Sequence, residues 1–135
     1  MDKVLIYCDG GARGNPGPAA IGIVVKSSGG KIIQEISRKI GRATNNVAEY
    51  KAVLAALDWV WENELADSVE FYLDSELVTR QLNGQYKVRD ADLKPLYYRI
   101  REAVFSSGRA ITFKHIRREE NHQADTLVNK ELDLA

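Results

Sequence analysis

The sequence has little cysteine and histidine, and it has no long apolar stretch. One cysteine among 135 residues excludes a disulfide within the chain and is typical of a reducing, cytoplasmic compartment. With only two histidines and a single cysteine that lies far from them, no ligand set remains for a zinc site of the Cys/His type. The missing apolar stretches argue against a signal peptide and a membrane-spanning helix. We therefore expect a cytoplasmic protein that does not contact a membrane.

Net charge is also lacking, because nineteen Lys and Arg residues balance nineteen Asp and Glu residues. This balance excludes a strongly basic domain, the simplest sign of nucleic-acid binding, but it leaves room for a local basic patch. The hydrophobic content of 44% and the charged content of 28% are ordinary for a globular protein. The length and the lack of linkers or repeats predict a single domain over residues 1–135. Nothing in the sequence demands an oligomer, so we expect a monomer.

The order of the apolar patterns predicts an α/β fold. Residues 4–8 form an apolar run typical of a central strand, and residues 19–40 contain two strand-like runs around a Ser-Ser-Gly-Gly turn. A helical pattern over 44–65 is followed by a strand that ends at Asp74 and by a short helix closed by Gly84. The chain then continues with a helix over about 92–105, a strand over 110–116 and a final helix. Right-handed crossovers make the last two strands parallel to the first. We expect a five-stranded mixed sheet, its first three strands antiparallel, with helices on both faces.

Four acidic residues fall at the ends of these elements. Asp9 is predicted to end the first strand and Asp74 the fourth, while Glu49 lies in the first turn of the long helix and Asp125 near the start of the last helix. Ligands of open α/β sheets bind at the carboxyl ends of the parallel strands. Four carboxylates at that edge would repel one another, and oxygen ligands without Cys or His are what Mg²⁺ or Mn²⁺ prefers. Such ions can clamp the attacking and leaving oxygens of a phosphodiester.

Each acid alone also has a structural interpretation. Asp9 and the two glycines after it are typical of a turn, Asp74 could cap the next helix, and Asp125 could favour a helix dipole. The stretch from Asn46 to Glu49 has the spacing of a capping box. Taken singly, these interpretations describe the more common uses of such residues. Their coincidence at one edge of one sheet favours the metal site.

Four stretches around these acids resemble the type 1 ribonuclease H family. They are YCDGGARGNPGPAAIG, TNNVAEYKAVLAAL, YLDSELV and REENHQADTLVN, and they occur in the order and spacing of the family over essentially the whole domain. The resemblance implies the ribonuclease H-like fold and an endonuclease that cuts the RNA strand of an RNA–DNA hybrid, leaving 5′-phosphate and 3′-hydroxyl ends. It also implies two Mg²⁺ ions, or Mn²⁺ in their place, held by Asp9, Glu49, Asp74 and Asp125. Asp9 would bridge both ions, Asp74 and Glu49 would hold the ion near the leaving group, and Asp125 would hold the ion that activates water.

Small and polar residues beside the acids are the expected substrate contacts. RNA is distinguished by its 2′-hydroxyl, which lies in a wide, shallow minor groove. The candidates to reach that groove are Gly10, Gly11, Asn15, Asn45 and Asn46. The candidates for a phosphate of the DNA strand, partly at a helix N-terminus, are Thr44, Asn45 and Ser75. Because these residue types also suit turns and caps, the sequence leaves each contact open.

Two features of many type 1 members are missing. The basic handle with tryptophans that follows the DS motif is replaced by LNGQYKVRDADLKPLYY, in which few basic residues alternate with aspartates. Fewer phosphate contacts predict weaker binding with a shallower salt dependence. The histidine of the loop before the last helix is also missing, and Arg118 is the candidate to replace it, with a solvated basic residue as the alternative.

These departures leave other functions open. A binding module of the same fold without activity would explain the missing handle and histidine, although it would gain nothing from four clustered acids. Double-stranded RNA is a second candidate substrate, because it shares the A-like form and the 2′-hydroxyls of the hybrid.

Overall fold

The computed structural model describes residues 2–64 and 66–134. The five strands are β1 (Lys3–Ala12), β2 (Gly17–Ser27), β3 (Ile32–Ala43), β4 (Ser68–Leu73) and β5 (Ala110–His115). The helices are α1 (Asn45–Asn63), α2 (Glu76–Leu82), α3 (Leu93–Ser106) and α4 (His122–Asp133), and a short 3-10 helix, Arg118–Asn121, directly precedes α4. No helix in these ranges is long and apolar enough to cross a membrane.

The strands form one sheet in the order β3-β2-β1-β4-β5. β2 runs antiparallel to both β1 and β3, whereas β4 is parallel to β1 and β5 is parallel to β4. The predicted mixed sheet is therefore confirmed. In the central strand β1, Val4, Ile6 and Cys8 are all buried, since side chains two apart point to the same face of a strand.

β1 is longer than the sequence predicts. Asp9 pairs with Gly22 and Ala12 pairs with Ala19, so the glycines after Asp9 belong to the strand. The predicted end of the strand at Asp9 is wrong, and so is the interpretation of Asp9-Gly10-Gly11 as a turn. Glycine is typical of turns, but within a strand it also lets the backbone of another element come close, and Gly10 serves this second purpose.

Glycines let a helix touch each face of the sheet. A Cβ atom on Gly10 would lie 2.3 Å from the carbonyl carbon of Ala48 in α1. A Cβ atom on Gly22 would lie 2.4 Å from the carbonyl oxygen of Ala124 in α4, the close backbone approach that a glycine inside this strand predicts. The backbones of α1 and α4 therefore rest directly on opposite faces of the sheet, and their first turns reach the same end of β1.

α1 begins where its sequence provides a cap. The hydroxyl of Thr44 accepts a hydrogen bond from the backbone N–H of Val47 at 3.2 Å, the usual N-cap geometry. Ala48, Ala52 and Ala56 are fully buried, and their small side chains allow the helix to lie close to its neighbours. α3 packs on α1 as well, which explains why so much of the surface of α1 is apolar.

Candidate active site

Asp9 and Asp74 lie side by side on adjacent parallel strands. Tyr7 pairs with Tyr72, and each aspartate follows two residues after its tyrosine. Asp9 is buried, with 7% of its surface exposed, and Asp74 directly follows β4 in a half-buried position. Ser75 caps α2, because its hydroxyl accepts a hydrogen bond from the N–H of Val78 at 3.3 Å. The interpretation of Asp74 as that helix cap is therefore wrong.

α1 brings Glu49 to the same place from the other face of the sheet. Glu49 is the fifth residue of α1, so it lies in the second turn and not in the predicted first turn. Since Thr44 occupies the cap position, the capping-box interpretation of Glu49 is wrong as well. Its Oε1 accepts a hydrogen bond from the N–H of Gly10 at 3.3 Å. Its Oε2 is buried and has no hydrogen-bond partner in the described part of the chain.

Three of the four acids form a tight group. One carboxylate oxygen from each of Asp9, Glu49 and Asp74 lies within 4.8 Å of the other two. Asp125, in the first turn of α4, borders the same cleft, which has a volume of about 390 Å³. The Nδ2 of Asn129 donates a hydrogen bond to Asp125 Oδ2 at 3.3 Å. The four acids thus come from four different elements and meet at one edge of the sheet.

The pKa values of two of these acids, Asp9 and Glu49, are strongly raised. Burial raises the pKa of Asp9 from 3.8 to about 7, and the charges of Asp74 and Asp125 add to this rise, against a hydrogen bond with Glu49 that lowers it. Burial also raises the pKa of Glu49 well above its ordinary value, and the charge of Asp9 is the next cause. Within residues 2–64 and 66–134, no lysine or arginine forms an ion pair with any of the four acids. Their negative charge is left for protons or for a cation from solution.

The donor set fits a hard divalent cation. All ligand atoms are carboxylate oxygens, which Mg²⁺ and Mn²⁺ prefer. The buried Oε2 of Glu49 has no hydrogen-bond partner among the described residues, which costs free energy, and it would gain a partner when a proton is shared with Asp9 or when a cation enters the cleft. A doubly charged ion would also offset the repulsion between Asp9 and its neighbours.

Known proteins share this fold and this sequence. A family described as reverse transcriptase-like matches residues 7–131. Ribonuclease HI of Halobacterium salinarum is 43% identical over 133 residues, which are 98% of this chain and 66% of that protein. LC11-RNase H1, isolated from compost by a metagenomic approach, is 46% identical, with a TM-score of 0.94 over 98% of this chain and 97% of that structure. The chain belongs to the ribonuclease H family.

A similar stretch also occurs within longer relatives. Bifunctional protein Rv2228c of Mycobacterium tuberculosis is 41% identical over 134 residues, which are 98% of this chain. The chain spans 36% of the length of that relative. A structure of the N-terminal RNase H domain of Rv2228c matches 97% of this chain with a TM-score of 0.90.

The described part of the chain lacks the basic handle, as predicted. Residues 83–92 join α2 to α3 without a helix or strand between them. Lys87, Arg89 and Lys94 border a separate depression there, beside the aromatic rings of Tyr86 and Tyr98.

Most of the predicted substrate contacts border the acidic cleft. The cleft is lined in part by Gly10, Gly11, Asn45, Asn46, Ser75 and Arg118. Asn15 and Thr44 lie outside its lining, and both have structural hydrogen bonds: Asn15 Oδ1 accepts from the N–H of Asn45 at 2.9 Å, and Thr44 caps α1. The N–H of Gly10 donates to Glu49 Oε1, so it is not free to contact a substrate. Sequence reasoning also missed Arg13 and Asn129, which line the same cleft.

The sequence analysis missed one buried residue behind the acids, Asn121. It is only 1% exposed, and its Nδ2 donates hydrogen bonds to the carbonyl oxygen of Cys8 at 2.8 Å and to Asp74 Oδ2 at 3.0 Å. A signal was present, because Asn121 lies four residues before Asp125 in the stretch REENHQAD. Its burial could not be foreseen, since it depends on how the 3-10 helix docks behind β1 and β4.

Proposed function

We propose that this ribonuclease H hydrolyses the RNA strand of RNA–DNA hybrids with two Mg²⁺ or Mn²⁺ ions and leaves 5′-phosphate and 3′-hydroxyl ends. The observation that carries the proposal is the group of three carboxylates within 4.8 Å of one another, with the buried, unpartnered Oε2 of Glu49 among them. A structure of LC11-RNase H1 in complex with an RNA/DNA hybrid, 44% identical to this chain with a TM-score of 0.92, supports the choice of substrate.

The four acids divide into ligands for two ions. Asp9, Glu49 and Asp74 form the tight group that would hold one ion, and Asp9 with Asp125 would hold the other. Asp9 would be the ligand common to both ions, because it belongs to the tight group and is also close enough to Asp125 for the charge of Asp125 to raise its pKa. When bound, the ions supply charge stabilisation at the phosphate and make water a better nucleophile. The protein holds the acids close together before a metal ion binds, and their raised pKa values are the consequence of this arrangement.

The rim of the cleft fits a nucleic-acid backbone. Asn45 and Asn46 begin α1 and Ser75 caps α2, so polar side chains and two helix N-termini face the approach to the acids. The guanidinium of Arg118 is exposed at the same rim and provides a positive charge for a phosphate. Amide side chains at this position can bond to the 2′-hydroxyl that distinguishes RNA.

A cleavage assay tests the proposal. The purified protein is incubated with a hybrid labelled at the 5′ end of its RNA strand, with Mg²⁺ in one series and Mn²⁺ in another. We expect cleavage by the unmodified protein, none with a chelator, and products that a kinase can label only after phosphatase treatment. Absence of cleavage under conditions where a control ribonuclease H cuts the same hybrid would refute the proposal.

Parallel substrates decide between the hybrid and its alternatives. Hybrid, duplex RNA and duplex DNA of one sequence are compared at one salt concentration, and the hybrid is expected to be cut fastest. Equal cleavage of duplex RNA would widen the substrate class to A-form RNA duplexes. Hybrid binding that is the same for the unmodified protein and for Asp9→Asn, with no cleavage by either, would identify a binding module.

A further inference from the structure

Asn121 joins two strands directly beneath the acidic group. It ends the 3-10 helix before α4, and it makes no cap hydrogen bond to that helix. Both protons of its carboxamide nitrogen are used, one by the carbonyl of Cys8 in β1 at 2.8 Å and the other by Asp74 Oδ2 at 3.0 Å. Cys8 directly precedes Asp9, so this one side chain connects the backbone beside Asp9 with the carboxylate of Asp74.

The orientation of this carboxamide is determined by its neighbours. A carbonyl oxygen and a carboxylate oxygen only accept hydrogen bonds, so the atom that faces them must be the nitrogen. Turning the amide over would set Oδ1 against two acceptors. In the observed orientation Oδ1 is buried and has no partner among the described residues, which generally costs about 1–3 kcal/mol. The side chain is therefore held in this orientation by the two hydrogen bonds of its nitrogen, although its oxygen has no hydrogen-bond partner.

We propose that Asn121 is a positioning residue for the metal site: it fixes the carboxylate of Asp74 in the orientation that a divalent cation needs. A carboxylate with one oxygen held cannot rotate freely, so it loses less freedom when the ion binds. Half-buried Asp74 needs this support, because no lysine or arginine among residues 2–64 and 66–134 pairs with it. The inference rests on the proposed function in that Asp74 is taken as a metal ligand.

Two substitutions separate this role from simple packing. Asn121→Ala removes the carboxamide, and Asn121→Leu keeps a side chain of similar shape without a donor. The matched control is Gln81→Ala, since Gln81 is also a buried amide, 5% exposed, and its Oε1 accepts a hydrogen bond from Tyr50 at 2.7 Å in a place that does not line the cleft. All three are expected to lower the melting temperature. Only the two Asn121 variants are expected to bind Mn²⁺ more weakly, by about tenfold or more, the usual effect of losing a partner of a metal ligand.

Mn²⁺ binding is measured by calorimetry without substrate, and cleavage is measured over a range of Mn²⁺ concentrations. We expect high Mn²⁺ to restore much of the rate of Asn121→Leu while its KM for hybrid stays that of the unmodified protein. Equal Mn²⁺ affinity of Asn121→Leu and unmodified protein would overturn the inference while leaving the proposed function intact. Failure of the unmodified protein to bind Mn²⁺ or to cut the hybrid would instead refute the proposed function.

A measurement on the unmodified protein covers the case in which neither variant folds. In nitrogen-15 spectra the side-chain amide signal of Asn121 is expected to shift when Mg²⁺ is added, because its acceptor Asp74 then shares its charge with the ion. The signal of Gln81 is expected to stay in place. An Asn121 signal that does not move, in a protein that cuts the hybrid with Mg²⁺, would contradict the inference.

Discussion

Glu70 and the acidic group lie on the same sheet, yet their electrostatic surroundings are opposite. Glu70, in β4, accepts hydrogen bonds from Lys3 at 2.8 Å, from Lys114 at 3.1 Å and from the hydroxyl of Tyr72 at 2.5 Å. The bond from Lys3, followed by the bond from Tyr72, lowers the pKa of Glu70 to about 2. Four residues further along the chain, Asp74 belongs to a group in which burial raises the pKa of Asp9 to about 7.

This contrast shows where the protein supplies its own cations and where it does not. At Glu70 two lysines from neighbouring strands neutralise the acid, and the result is a structural contact. Around Asp9 the described residues donate hydrogen bonds, from Gly10 to Glu49 and from Asn121 to Asp74, but they form no ion pair with the acids. A pKa raised by burial and by neighbouring like charges in a cleft is typical of functional sites.

The largest expected effect is on cleavage by Asp9→Asn. Under the proposed function Asp9 is the ligand shared by both ions, and its loss would remove several kcal/mol of charge stabilisation, so we expect the rate to fall by about a thousandfold or more. The matched control is Glu70→Gln, which makes the same change of acid to amide on the same sheet and is expected to cut hybrid at the normal rate. A strong loss of cleavage in both variants would mean that the comparison between the two sites is wrong.

The next effect concerns pH and Mg²⁺. Because the pKa of Asp9 is about 7 in the folded protein and 3.8 otherwise, the folded state binds more protons between these values. The metal-free protein should therefore lose stability as the pH rises from about 4 to about 7, by up to a few kcal/mol. Mg²⁺ should raise the melting temperature more at pH 8 than at pH 5, since the ion competes with protons for the same oxygens.

Calorimetric melting at several pH values, with Mg²⁺ and with a chelator, checks this pattern. Between pH 5 and pH 7 the Glu70→Gln variant should show the same dependence as the unmodified protein, because the contribution of Glu70 changes mainly below this range. A Mg²⁺ effect that is as large at pH 5 as at pH 8 would show that the ion does not bind to the group around Asp9.

Glu49→Gln should raise the stability of the metal-free protein while it abolishes cleavage. The amide nitrogen would take the place of Oε2 and could donate to the carboxylate of Asp9 at any pH, whereas the acid can do so only while it holds a proton. We expect a gain of about 1–3 kcal/mol at pH 8, the usual cost of a buried polar group without a partner. Denaturant unfolding with a chelator measures the gain. A loss of stability would mean that Glu49 is held by contacts that its amide cannot make.

Much of this arrangement was predictable because short-range patterns encode it. Short apolar runs bounded by turn residues predicted the strands, and apolar residues at helical spacing predicted the helices. The right-handed crossover then made β4 parallel to β1, which placed Asp9 and Asp74 at the same edge of the sheet. The position of Asp9 inside β1 was not predictable from composition. The turn-like glycine after Asp9 belongs to the strand because the backbone of Ala48 in α1 leaves no room for a side chain on Gly10.

The burial of Asn121 and the charge partners of Glu70 could not be predicted from the sequence, because both depend on contacts between distant parts of the chain. The role of Asn121 depends on distances to Cys8 and Asp74, which are 113 and 47 residues away in the sequence. The same holds for Glu70, since nothing near it in the sequence indicates that Lys3 and Lys114 will pair with it. Charge partners across a sheet become known only with the register of its strands.

The smallest effect is expected for Glu70→Gln itself. The folded pKa of Glu70 is about 2 and its ordinary value is 4.5, so the ion pairs contribute stability above about pH 4.5 and lose it as the pH falls to about 2. Lys3 and Lys114 are 40% and 52% exposed, and solvent screening limits the loss in Glu70→Gln at pH 7 to about 1 kcal/mol. High salt should shrink the difference further, and it should vanish at pH 2. Urea unfolding of both proteins at pH 7 and pH 2 measures it, and an equal loss at the two pH values would show that Glu70 acts through packing and not through its charge.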